Sequence, residues 1–255
     1  MRIVSLLFAC LLWNMTFGQK AVSKEISTLL TEGKPLQEVS LIHFVSNEVT
    51  NRSIPLEGLT KGTIVSIDEV AIEKLLNGNS DFIQLGLPLS ERQNLKLNLV
   101  RHEIFAEDFA LYTSGEPGIP FNYTPGVHYK GVVEGDPSSL VAVSVFNNEV
   151  MALISTGHGN MILGRIDNDR ESRHILYAEN DLDKTSGFDC STPDDGFGYT
   201  EDDLKPQAAG RDAGDCVRVY IEIDDDIVTQ KGGATPATNY ITGLFNQSIV
   251  LYSNE

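Results

Sequence analysis

Cysteine is scarce in this chain. Of 255 residues three are Cys, and Cys10 lies inside the apolar N-terminal run. The remaining two, Cys190 and Cys216, cannot build a disulfide framework, so the fold must rest on a hydrophobic core, for which an apolar content of 41% suffices. Basic residues are also few. The 19 Lys and Arg stand against 36 Asp and Glu, for a formal charge of −17. A chain this acidic repels phosphate backbones, which excludes nucleic acid as an expected partner. After the N-terminal run no stretch is apolar enough to span a bilayer, so no membrane span is expected.

What is present begins with a targeting pattern. Arg2 supplies a positive n-region, Ile3 to Trp13 is almost unbroken apolar, and Thr16-Phe17-Gly18 places small residues at the cleavage positions before Gln19. Residues 1–18 therefore read as a secretory signal peptide, and the expected localisation is secreted, extracellular. Residues 21–80 are mixed in character. Asp68 to Leu76 reads as a short helix closed by Asn77-Gly78, while Ile64-Val65 and Phe82-Ile83 read as strand.

From residue 82 the period becomes two. Leu95, Leu97 and Leu99 alternate with Lys96 and Asn98, as on a half-buried strand. Leu140 to Phe146, Val150 to Ile154 and Met161 to Leu163 continue the pattern, separated by turns at Asn147-Asn148 and at Gly157 to Asn160. Residues 82–178 are expected to form an antiparallel meander. Residues 179–214 turn to Asp, Gly, Pro, Ser and Thr, and read as a linker crossing the surface. Order is then expected to return. Val217, Val219, Ile221 and Ile223 alternate with Arg218, Tyr220, Glu222 and Asp224, which predicts a strand. After a Gly232-Gly233 turn, Thr235 is placed to N-cap a helix with Pro236 in its first position. Ile241, Leu244, Phe245, Ser248, Ile249 and Tyr252 share one face of that helix, the face expected to be buried.

Two segments carry a resemblance. His128-Tyr129-Lys130-Gly131-Val132-Val133-Glu134-Gly135, continuing to Ser139 and Ser144, is similar to a run in the propeptides of reprolysin-type (ADAM-like) zinc metalloproteases. Val217 to Tyr252 resembles the opening of the metzincin catalytic domain. The resemblance implies a β-rich propeptide over residues 19–190, a linker and processing segment over 191–215, and the first strand and helix of an α/β catalytic domain over 216–255. It further implies that the chain is the N-terminal part of a secreted zinc metalloendopeptidase zymogen. Its partners would be its own catalytic domain and protein or peptide substrates. Zinc would be the cofactor of the complete protein. Arg218 stands where the family carries a calcium-binding Glu, which argues against a calcium site.

On the residues themselves, His128 reads as a hydrogen-bonded structural side chain, Tyr129 as a core or edge aromatic, and Gly131 and Gly135 as sites of close strand approach or bulge. The catalytic signature HExxHxxGxxH is missing. His102-Glu103 is the one His-Glu pair, and residue 106 is Ala. No catalytic residue is expected in this chain, which should be inactive alone. Cys190, in Phe188-Asp189-Cys190-Ser191-Thr192, is the family's candidate cysteine switch, a thiolate that would fill the open position of the zinc. The alternative is a Cys190–Cys216 disulfide, worth ~3 kcal/mol. Asp189 and Asp194 disfavour a free thiolate, and Ser191 replaces the family's Gly. Arg211 is the clearest basic cleavage site in the linker. A function of another class stays open: a secreted, non-catalytic β-rich binding or adhesion module.

Overall fold

The protein is described by a computed structural model covering residues 21–47, 58–167, 169–182 and 218–254. The expected signal peptide, Cys190, Arg211 and Cys216 lie outside the described residues.

The alternation along residues 82–178 forms the centre of one large sheet. Strands β1 (Gln37–Val39), β2 (Ile42–Ser46), β3 (Thr63–Ile67), β4 (Phe82–Ser90), β5 (Gln93–Arg101), β6 (Val127–Val133), β7 (Asp136–Phe146), β8 (Glu149–Thr156), β9 (Gly159–Arg165) and β10 (His174–Ala178) join in the order β1-β4-β5-β6-β7-β8-β9-β10-β3-β2. From β4 to β10 each strand pairs antiparallel with the next, as the turns predict. Two features depart from a simple meander. The sheet also takes in residues 37–67, and β1 pairs parallel to β4. Twist curls the sheet into a half-barrel and brings β2 and β3 round to face β4. Side chains bridge the seam: Thr63 Oγ1 donates to Leu89 O (2.8 Å), and Asn47 Nδ2 donates to Thr63 Oγ1 (2.8 Å) and to Leu89 O (3.2 Å).

The concave face holds the main core. Ile83, Leu85 and Leu87 of β4, Leu97 and Leu99 of β5, Tyr129 of β6, and Val141, Val143 and Val145 of β7 are all buried there. Helix α1 (Ala21–Thr31) runs across the convex face, and helix α2 (Glu69–Leu76) packs Ile72 and Leu75 into the concave core. The α2 span matches its sequence signals. Asp68 caps it, its Oδ1 accepting the Ala71 N–H at 2.9 Å, and Asn77 ends it. His174 is fully buried, and its Nε2 accepts the Val150 N–H at 3.1 Å. Burial holds its imidazole down at a pKa of about 4.

The C-terminal segment differs from its expectation. Residues 218–224 form no strand, and Val219, Tyr220 and Ile221 are exposed. Alternation alone does not make a strand, because its N–H and C=O groups need a neighbouring strand, and among the described residues none runs alongside. A helix not expected from the sequence, α3 (Asp225–Lys231), follows. Its signals are legible in retrospect: Asp225 and Asp226 in the first turn, Lys231 in the last, and Gly232 at φ +85° as the left-handed stop. Helix α4 (Ala234–Tyr252) then starts earlier than predicted, with Gly233 rather than Thr235 at the cap. Pro236 still falls in the first turn, where its missing N–H leaves no bond unmade. No helix among the described residues is long and apolar enough to cross a membrane.

Ile72 and Val70 lie close together on α2 but in opposite environments, one fully buried and the other 76% exposed. Ile72→Ala should destabilise the fold by about 2–5 kcal/mol, whereas Val70→Ala should stay within about 0.5 kcal/mol. Urea unfolding of the two variants checks the pair.

Candidate functional site

The run His128 to Ser139 builds the β6–β7 hairpin, and each of its distinctive residues has a structural task. Tyr129 is fully buried in the core and donates its hydroxyl to Ser80 O at 2.9 Å. A Cβ on Gly131 would sit 2.0 Å from Asn98 O, so only glycine lets β6 approach β5 there. Gly135 turns the chain at φ +79°. Ser139 Oγ accepts the Val133 N–H (2.8 Å) and donates to Asp136 O (2.6 Å), closing the hairpin. These positions match the structural reading of the motif.

His128 points the other way, onto the convex face. Its Nδ1 lies 2.9 Å from Ser144 Oγ of β7, and both side chains are almost completely buried. The cover is α4. Asn246, with no exposed surface, directs Nδ2 at Ser144 Oγ (3.2 Å), Val143 O (3.2 Å) and Tyr129 O (3.4 Å). Gly243, one turn earlier, makes the close approach possible, since a Cβ there would lie 2.5 Å from Met151 Sδ of β8. The residues 102–126 wall the patch with aromatic rings. Phe105 and Phe146 stand edge-on to the His128 ring at 5.5 and 5.8 Å, and Phe109 bridges Phe105 and Tyr123. Tyr123 in turn donates its hydroxyl to Asn239 Oδ1 of α4 at 3.0 Å. Two ionic contacts lie further out, Arg218 with Asp108 and Lys231 with Asp167 (3.3 Å). Lys231 Nζ also sits 4.3 Å from the centre of the Tyr240 ring.

The buried face of α4 therefore departs from the prediction. Ala237, Thr238, Asn239, Thr242, Gly243, Asn246 and Val250 are buried, while of the predicted stripe Leu244, Ser248 and Tyr252 are exposed and Ile241, Phe245 and Ile249 half-buried. The convex face beneath α4 is itself polar at His128 and Ser144, and buried polar groups are stabilised only by partners that bond them. The i, i+4 spacing of Thr238, Thr242 and Asn246 carried this information in the sequence, masked by the stronger hydropathy of the opposite face. Asn246 also begins an Asn-Gln-Ser sequon. Its burial makes a glycan there incompatible with the docked helix, whereas the sequon at Asn122 is exposed.

Electrostatically the patch keeps its histidines neutral. Burial, then His102 and Arg101, pushes the His128 pKa down to about 4. Burial and the Lys130 ammonium lower that of His102 against smaller opposing effects from Asn246, Glu25 and Glu103. Among the described residues no carboxylate bonds His128 Nε2, and the Ser144–His128 pair is enclosed, so it lacks the features of an activated nucleophile there. Among the described residues no three His, Cys, Asp or Glu side chains converge as metal ligands. Two clefts open elsewhere. One, of about 320 Å³ beside the seam, is lined by Lys61, Thr63, Leu89 and Asp181, and one of about 380 Å³ lies beside β1. Of the residues singled out from the sequence, the structure brings His128 and Tyr129 together at the joint with Asn246, while Gly131 serves the contact of β6 with β5. His102 lies at its edge, while His43 and His158 are exposed and apart.

No protein-family model matches the chain, and neither does any curated protein.

Asn246→Ala should release α4 selectively. The lost bonds from Nδ2 to Ser144 Oγ and to the Tyr129 and Val143 carbonyls should weaken docking by about 1–3 kcal/mol. Limited proteolysis should then cut within 234–252 while the β4–β8 region stays resistant.

Proposed function

We propose that the chain is the N-terminal part of a secreted zinc metalloendopeptidase precursor of the reprolysin type. In this reading its β-rich domain is a propeptide that holds the start of the catalytic domain and keeps the protease latent. The observation that carries the proposal is the joint between the two resembling segments. The strand with the His-Tyr run, β6, and the helix α4 meet face to face and share one buried network through His128, Ser144 and Asn246. A propeptide must grip its enzyme, and this joint is a grip built from the residues that carry the resemblance.

The chain's own residues then cover and position; none is assigned to peptide-bond chemistry. Zinc, held by an HExxHxxGxxH motif proposed to lie beyond Glu255, would polarise the scissile carbonyl and lower the pKa of its bound water. Cys190 is proposed as the inhibitory thiolate, with the Cys190–Cys216 disulfide as its alternative. Cleavage within 191–215, with Arg211 as the basic site, would separate the parts.

Two measurements test this. The coding frame past Glu255 should contain HExxHxxGxxH; a frame without it overturns the protease reading in favour of a binding module. In the full precursor, Cys190→Ala should raise hydrolysis of a peptide substrate before any processing. An intact mass lower by two hydrogens, with unchanged latency in the variant, would assign Cys190 to the disulfide instead.

A further inference from the structure

The patch under α4 joins two features: histidines with buried, unpartnered ring nitrogens, and a covering helix without an ionisable side chain other than tyrosine. His128 Nε2 and His102 Nδ1 are both enclosed without a hydrogen-bond partner, as is Asn246 Oδ1. Residues 234–252 contain no Asp, Glu, Lys, Arg or His. The surrounding elements offer little to receive a proton's charge. From β5 and the residue after it come Arg101 and His102, and from β6 comes Lys130, already paired with Glu25 of α1 at 2.9 Å. Glu103 acts on His102 alone, and the groups that act on His128, His102 and Arg101, are both cationic when charged. Phe105 and Phe146 stand at the His128 ring.

We propose that this joint is an acid-sensitive latch: protonation of His128, with His102 beside it, releases α4 from the convex face of the sheet. An imidazolium at position 128 would need an acceptor for Nε2–H, and in the closed joint none stands within hydrogen-bond distance of that nitrogen. It would also donate from Nδ1, so Ser144 Oγ, which already receives Asn246 Nδ2–H, would fill both of its acceptor positions there and could no longer donate its own O–H to the ring. Undocking admits water to both ring nitrogens and to that hydroxyl. The inference does not depend on the protease reading, since it concerns a contact within the described residues.

The sign follows from linkage. The docked state holds His128 near a pKa of about 4, and an uncovered histidine titrates near ~6.5. Below ~6.5 the undocked state binds a proton that the docked state refuses, so docking weakens as pH falls, by about tenfold per pH unit until the docked histidine titrates too. His102 acts in the same direction.

Hydrogen exchange of the full chain, followed by mass spectrometry and corrected for intrinsic rates, tests this at about pH 7.5 and about pH 5. The β4–β5 hairpin contains no histidine and serves as the reference. Relative to it, protection of 234–252 should fall by on the order of ten- to a hundredfold at the lower pH. A His128→Gln, His102→Gln double variant should keep the two regions in step. An unchanged ratio in the wild type, or the same drop in the double variant, overturns the proposal. If the variant does not fold, an NMR titration of the wild-type His128 ring decides. Protonation concurrent with loss of helix protection supports the latch, and titration at the ordinary value with α4 still docked overturns it.

Discussion

Strands β6 and β7 are buried on both faces, and the rest of the structure answers to that constraint. Their concave side chains, Tyr129 and Val141 to Val145, fill the half-barrel, while His128, Val132, Leu140, Ala142 and Ser144 emerge on the convex side with no sheet opposite them. That side needs cover, and two helices supply it. Helix α1 places Val22 and Ile26 over the apolar part, and α4 brings Val250 to the same Leu140–Ala142 cluster before laying its polar face over His128 and Ser144. The two helices lie more than two hundred residues apart in sequence, so the convex face is where these distant segments meet.

The concave side obeys a different rule. It is closed by the curl of the sheet and by α2, and its contacts are dispersive and non-directional apart from Tyr129, His174 and the bridges to Leu89 O. Such a core is stable chiefly because its apolar side chains are removed from water. The joint under α4 is the opposite. Its central contacts are hydrogen bonds whose net contribution is small, because undocked groups bond to water instead. A core of the first kind holds a fold permanently; a joint of the second kind can be opened. A propeptide has to hold its enzyme and later let it go, and the division between these two faces suits that role on the reading proposed above.

Much of the sheet was legible in the sequence. Leu97 and Leu99, Val141 to Val145 and Ile154 announced their faces by alternation, and Asp68 with Asn77-Gly78 bounded α2 correctly. Both rest on local physics: the pleat alternates side chains, and a helix end must satisfy its free N–H and C=O groups within a few residues. The structural tasks of Gly131 and Tyr129 were readable for the same reason. The parallel pairing of β1 with β4, the recruitment of β2 and β3, and the seam at Leu89 were not, because they join residues far apart in sequence.

The C-terminal segment marks the boundary most clearly. Local signals alone called for a helix from Pro236 to Tyr252 with two faces of different polarity. Which face would be buried depended on the surface lying opposite it. A hydropathy pattern assumes an apolar neighbour. Here the neighbour is a strand pair presenting His128 and Ser144, and a buried polar surface is stabilised by donors and small residues rather than by leucines. The strand expected at 217–223 failed for a related reason: its alternation was present, but a strand is a relation between two segments, and none of the described strands lies beside it.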